Sequence, residues 1–180
     1  MKKSMTLTIA GVALATVVGA GAASAHSAKT VKTQGVEKMD PNAKFLSTFR
    51  FGPGDIEVRQ GETVTWIDHD PPPVPHTITI VKPEDLSVDF VEAYTCLMDP
   101  DLLPGVSFDG LCLPFLAAHG GLAFTTPIVN VGGPGLDTPG DSLFLPPDSS
   151  VSAQVTAPPG TTLHYMCILH PWMQGTITVK

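Results

Sequence analysis

Val151-Ser152-Ala153-Gln154-Val155-Thr156-Ala157, then Pro158-Pro159-Gly160, then Thr161 to Cys167, then Gly175-Thr176-Ile177-Thr178-Val179, is the stretch whose reading decides the fold. Apolar and polar residues alternate, β-branched side chains dominate, and a Pro-Gly turn separates the first two runs. A period of two belongs to strands with one buried face. The same pattern recurs upstream. His76-Thr77-Ile78-Thr79-Ile80-Val81 reads as a strand, and so does Thr63-Val64-Thr65-Trp66-Ile67 after a turn at Gly61. Ile56 and Val58 start another, following Gly52-Pro53-Gly54, and Phe45, Phe49 and Phe51 belong to an aromatic-rich strand before that turn. Pro71-Pro72-Pro73 with Pro75 is a stiff extended loop. Short alternating strands between Gly/Pro turns predict an all-β Greek-key sandwich.

Composition agrees. The 180 residues include 17 Gly and 18 Pro, which argues against long helices. With 43% hydrophobic and 15% charged residues the chain is not a disordered one. A net charge of −7 argues against nucleic acid as a partner. No GxGxxG or Walker loop is present. Lys2 and Lys3, the apolar run Thr6 to Ala20, and Ala23-Ser24-Ala25 read as a secretory signal peptide over residues 1–25. Its removal places the chain in the periplasm or outside the cell; membrane association is expected only if the segment stays uncleaved. Residues 26–43 are polar and aperiodic and read as a flexible lead-in. Residues 44–180 read as one domain carrying a long insertion at about 83–145. That insertion is apolar and broken by Gly and Pro, with room for a short helix over Asp85 to Leu97 and strands near Phe124–Val131 and Ser142–Leu145.

The densest chemical signal is Tyr165-Met166-Cys167-Ile168-Leu169-His170-Pro171-Trp172-Met173. A thiolate, an imidazole and a thioether follow one another at intervals of three residues, between two predicted strands. All three can therefore converge at one end of a sandwich. His76 adds a second imidazole at the start of a strand. This is the donor mixture of a copper ion that must be comfortable as both Cu(I) and Cu(II): soft sulfur favours the first, and imidazole serves both. One copper per chain is expected. His69, in Asp68-His69-Asp70, competes with His76 and reads as a solvated or salt-bridged turn residue. Gln174 competes with Met173, because an amide oxygen also serves as a weak axial ligand. His164 reads as an ordinary strand residue, His119 as structural and Trp66 as core. His26 would become the N-terminus after cleavage, but a flexible lead-in suits copper chelation there poorly. Cys96 and Cys112 allow a disulfide, two free thiols, or a second metal site with His119. An oxidising compartment favours the disulfide and leaves Cys167 as the one thiol.

C-I-L-H-P-W-M, with its C-x-x-H-x-x-M spacing, together with V-P-H-T-I-T and G-E-T-V-T-W, resembles the cupredoxins, most of all the plastocyanin and amicyanin branch. The resemblance covers residues 44–82 and 146–180. It implies a type 1 (blue) copper site with His76, Cys167 and His170 as equatorial ligands and Met173 as the axial one. It also implies that His170 is the exposed edge through which electrons pass, with Pro171 and Trp172 forming an apolar docking surface. The function implied is single-electron shuttling between redox protein partners, without an enzymatic step or a small-molecule substrate. The acidic chain would favour partners with a basic face. Two departures stand out. Thr77 follows His76 where the family usually has Asn, and Ile168 follows Cys167 where Ser or Thr is frequent. The hydrogen bond that Asn makes between the ligand loops is therefore expected to be altered. A copper storage or chaperone module is the alternative, though such sites use exposed Met/His or paired Cys. A copper oxidase is disfavoured, since Met166 and Ile168 flank Cys167 and no His-x-His pair exists.

Overall fold

The computed structural model describes residues 29–39, 45–71, 73–86, 96 and 112–180. The predicted signal peptide lies outside the described residues, as does most of the segment read as a short helix after Asp85. Among the described residues there are twelve strands: β1 (Lys29–Gln34), β2 (Glu37–Met39), β3 (Phe45–Ser47), β4 (Arg50–Gly52), β5 (Asp55–Val58), β6 (Thr63–Ile67), β7 (His76–Val81), β8 (Ile128–Val129), β9 (Ser142–Leu145), β10 (Ser150–Gln154), β11 (Thr162–Cys167) and β12 (His170–Val179). Among the described residues one α-helix, α1, spans Cys112–Ala118. Among the described residues no helix is long and apolar enough to cross a membrane.

The strands form two main sheets. One has the order β10-β6-β1-β4, the other β5-β12-β11-β7-β9-β8, and β2 pairs with β3 as a separate hairpin. Successive strands change sheet between β4 and β5, β5 and β6, β6 and β7, β9 and β10, and β10 and β11, which is the Greek-key habit. Val31, Val64 and Trp66 from one sheet, Ile78, Ile80, Tyr165 and Ile177 from the other, and Val155 just after β10 form a common core in which each is at most 1% exposed. At Gly175 a Cβ would collide with the Gly54 carbonyl and the Tyr165 ring, so only glycine lets β12 lie this close to the β4–β5 turn.

Residues 29–39 are not a lead-in. β1 runs parallel to β6 and antiparallel to β4, inside the four-stranded sheet. Val31 and Thr33 point inward while Lys32 and Gln34 stay exposed. One large apolar residue in six gives too weak a period to read; pairing on both edges supplies what the side chains do not.

The block at 83–145 is partly sheet, because β9 pairs with β7 on one edge and β8 on the other. Among the described residues this block also holds α1 and, at Pro83–Asp85, a single 3₁₀ turn; most of the segment from Asp85 to Leu97 lies outside them. Cys96 and Cys112 form a disulfide. Around it Val81, Met166 and Ile168 are buried, with Phe115, Leu116 and Leu169 packed against them. The outer face of the six-stranded sheet is thus covered by the insertion at β7 and the end of β11, and all six residues of β7 are buried. Closing a loop of 16 residues constrains the unfolded chain by about 3 kcal/mol. Denatured, metal-stripped protein should give one titratable thiol, Cys167, before reduction and three after. Three thiols without reductant would contradict the pairing.

Candidate metal centre

Cys167 is the last residue of β11 and His170 the first of β12, joined by the two-residue turn Ile168-Leu169. Met166 pairs with Gln174, but Cys167 pairs with His170, so Pro171, Trp172 and Met173 bulge from the ladder. This bulge brings His170 back beside Cys167. Met173 lies within this bulge, next to Gln174, where the regular pairing resumes. Met173 and Cys167 are both fully buried in the main core. Gln174 shares the opposite face with Met166, and its amide donates to the Pro171 carbonyl at 2.9 Å. His76, the first residue of β7, reaches the same point from the neighbouring strand.

Cys167 Sγ lies 3.7 Å from His76 Nδ1 and 3.6 Å from His170 Nδ1. The donor atoms of the three residues all lie within 4.8 Å of one another. With metal–nitrogen bonds of about 2.0 Å and metal–sulfur of about 2.3 Å, a sulfur and a nitrogen donor arranged between tetrahedral and trigonal stand about 3.5–3.7 Å apart. The three side chains therefore fit one metal ion without moving far. His76 and Cys167 are 0% exposed and His170 9%, so water has little access. The Phe49 ring sets its edge against both imidazoles, at centroid distances of 5.5 and 4.9 Å.

Burial also sets the protonation. It pushes the Cys167 thiol up to about 11, against the backbone amides of Thr77, Leu169 and His170, which favour the thiolate. It pushes His170 down to about 3, with the neighbouring His76 adding to the fall. His76 is lowered by burial too, opposed by Asp70 and Asp68. Both imidazoles are thus neutral and carry a free lone pair at physiological pH. The thiol keeps its proton until a cation replaces it, so metal uptake releases a proton.

The two ligand segments are tied together despite the departure at position 77. The Ile168 amide donates to Thr77 Oγ1 at 2.9 Å, and the Thr77 amide donates to Cys167 Sγ at 3.3 Å. A hydroxyl does here what the sequence comparison assigned to an Asn side chain. Ile168, the other departure, is fully buried beneath the insertion. An apolar residue is needed there because the disulfide-linked segment covers the back of the ligand turn.

Thr77 is itself oriented from a distance. Its hydroxyl meets Thr79 Oγ1 at 3.1 Å, Thr79 meets Ser142 Oγ at 2.7 Å, and Ser142 meets His119 Nε2 at 2.7 Å. His119 Nδ1 faces the Thr126 carbonyl at 2.7 Å. A carbonyl only accepts, so the His119 proton sits on Nδ1 and Nε2 accepts from Ser142. Each hydroxyl then donates toward His119, leaving the Thr77 oxygen free to accept from Ile168. His119 is structural, as its sequence context suggested, and holds this chain neutral. Burial lowers its pKa, opposed by the Thr126 carbonyl. A histidine lowered on folding binds its proton more readily when unfolded, so its contribution is complete above about pH 6.5 and is lost as pH falls below that. Urea midpoints should drop between pH 7.5 and 5, and His119→Gln should flatten part of that slope. Identical slopes in the two proteins would exclude His119 as a contributor.

His69 is exposed, with only its backbone amide held, by Thr33 Oγ1. His164 lies half-buried on β11, and Trp66 is core. His26 lies outside the described residues. His170 and Pro171 are buried and Trp172 half-buried, so this edge is less open than an exposed docking surface. Glu37 of the β2–β3 hairpin stands over His170, with Oε1 3.9 Å from Nε2, which is why. Asp70, whose Oδ2 lies 2.9 Å from His76 Nε2, was missed by reading the sequence. Its only signal was a second acidic residue six positions before the histidine.

No family model matches the chain, and no curated protein matches it. Solved structures similar to it include a purple cupredoxin from Nitrosopumilus maritimus, at 16% identity, with 84% of this chain and 99% of that one covered and a TM-score of 0.42. Auracyanin from Roseiflexus castenholzii is also 16% identical, over 85% of this chain and 96% of that one, with a TM-score of 0.43. A mutant plastocyanin of fern is 19% identical, over 84% of this chain and 99% of that one, with a TM-score of 0.36.

Proposed function

We propose that this chain is a cupredoxin-type electron carrier that holds one copper ion between His76, Cys167, His170 and Met173. The observation that carries the reading is the buried triangle of Cys167 Sγ with two Nδ1 atoms at 3.7 and 3.6 Å. Copper bound there would supply a Cu(I)/Cu(II) couple that takes up and gives back one electron.

The protein's part is positional. One thiolate, two imidazoles and a thioether suit both oxidation states, where an all-oxygen or all-thiolate set would favour one. The donors come from three strands packed into one core, so they are held in place whichever state is present. Little rearrangement then accompanies the electron. Burial excludes water that would otherwise add ligands. His170 reaches nearest the surface and is the natural route for electrons, beside Pro171 and Trp172. Acidic surface charge favours redox partners with a basic face. Storage or chaperone function is less well supported, since the donors are enclosed. With Met166 and Ile168 beside Cys167, no further histidines stand ready for an oxidase cluster. We read residues 1–25 as the export signal, which suits a chain with a disulfide.

The test is to add Cu(II) to stripped protein and record the visible spectrum. One equivalent should produce an intense thiolate-to-copper band. A folded protein that stays colourless would sink the reading.

A further inference from the structure

We propose that Asp70 is a positioning residue for the metal centre: its carboxylate holds the His76 ring with Nδ1 aimed at the ion, and its charge favours the more oxidised metal. The inference rests on the metal-binding reading above and extends it to a residue that touches no donor atom facing the ion.

The geometry starts from the two nitrogens of His76. Nδ1 faces Cys167 Sγ at 3.7 Å, while Nε2 faces Asp70 Oδ2 at 2.9 Å. A carboxylate accepts, so the ring proton belongs on Nε2 and the lone pair on Nδ1. That is the tautomer a metal on Nδ1 requires. A carboxylate behind a ligating imidazole also makes it a stronger donor.

Asp70 is held for this role and for little else. Asp68 secures the turn: its Oδ1 accepts from Thr33 Oγ1 at 2.7 Å and from the Asp70 amide at 3.2 Å, and its Oδ2 accepts from the Asp148 amide at 2.8 Å. Asp70 is 3% exposed, and its Oδ1 has no hydrogen-bond partner among the described residues. A buried carboxylate with one oxygen unpartnered and a neutral imidazole against the other is poorly compensated. A cation on the far side of that ring provides the compensation. Counting the Cys167 thiolate and Asp70 against the ion, a divalent copper leaves the group neutral and a monovalent one leaves it at −1. The charge of Asp70 therefore stabilises Cu(II) relative to Cu(I) and lowers the potential.

The same carboxylates raise a competing possibility. Donor atoms of Asp68, Asp70 and His76 also lie within 4.8 Å of one another. A second ion there would need Nε2 stripped of its proton and Asp68 released from three donors. The hydrogen bonds favour the single-ion arrangement.

Asp70→Asn keeps an oxygen to accept the Nε2 proton but removes the charge; Asp70→Ala removes both. Zinc titration and ¹⁵N shifts of the His76 ring read the hydrogen bond without any redox step. Asp70→Ala should weaken zinc binding by roughly 10- to 100-fold. Asp70→Asn should retain most of the affinity and the Nε2-protonated ring. In the copper form, Asp70→Asn should shift the ratio of Cu(II) to Cu(I) binding by about tenfold toward Cu(I), a rise of about 59 mV. Zinc affinity in Asp70→Ala within twofold of wild type would overturn the proposal. So would an unchanged or lower potential in Asp70→Asn, or a second zinc bound by wild type and lost in Asp70→Asn. If wild type gave no copper band, the electron-transfer reading would fall, and the zinc comparison would still decide the role of Asp70.

Discussion

Cys167→Ser is expected to abolish the visible band completely and to leave the fold standing. The colour of the proposed centre requires a thiolate sulfur bonded to Cu(II), and Cys167 is the free cysteine among the described residues. Serine offers a shorter reach and a hydroxyl that does not ionise near neutral pH. Copper affinity should fall by more than the 10- to 100-fold typical of losing an outer-shell partner. The folded state should change little. A serine hydroxyl at this position retains a donor in the Thr77 amide and acceptors in the two Nδ1 atoms, which now surround Sγ at 3.3, 3.7 and 3.6 Å. The expected stability change is within about 1–2 kcal/mol. Copper titration followed by visible absorption, with far-UV circular dichroism as the folding control, checks both halves. A band that survives in Cys167→Ser would exclude Cys167 as the ligand.

Asp141→Ala should produce the largest loss of stability away from the metal. The carboxylate is fully buried. Its Oδ1 accepts from the Val131 amide at 2.8 Å, and its Oδ2 from the Asp137 and Thr138 amides, each at 2.9 Å. Three backbone donors of one loop thus converge on a single side chain. The loop is also stitched to β7, because Ile80 N donates to the Asp141 carbonyl and Gly140 N to that of Ile80, both at 2.8 Å. Removing the carboxylate strands three donors at once, for about 3–5 kcal/mol. For a chain of this size that is a fall on the order of 10 °C in Tm. Asp141→Asn keeps one acceptor oxygen and should lose less. Thermal melts of both variants test the order. A loss below about 1 kcal/mol in Asp141→Ala would show that water replaces the carboxylate.

Different kinds of signal explain what could be read early and what could not. Cys167, His170 and Met173 announce themselves because a tight ligand turn keeps three donors within seven residues. His76 is legible because it opens an alternating strand. Asp70 is not, since its link to His76 depends on the tertiary placement of the turn that carries Asp68 and Asp70. Thr77 looked like a loss of the inter-loop tie. The structure shows a hydroxyl making it, oriented through Thr79, Ser142 and His119, which are 63 and 23 residues apart in sequence at the two longest steps. No window of sequence contains that chain. β1 escaped for a related reason: parallel pairing with β6 is non-local and asks little of the side chains.

By itself, then, the amino-acid sequence determined the strand grammar, the sandwich class, the pairing of Cys96 with Cys112 as the favoured choice, and a donor set suited to copper. These depend on local period and on chemical type, both written residue by residue. Only the tertiary structure decided that residues 29–34 belong to a sheet, that the insertion covers the back of the ligand turn, and that Asp70 stands behind His76. Those facts arise from packing between segments distant in the chain, where burial and hydrogen-bond direction choose among partners that composition leaves equivalent.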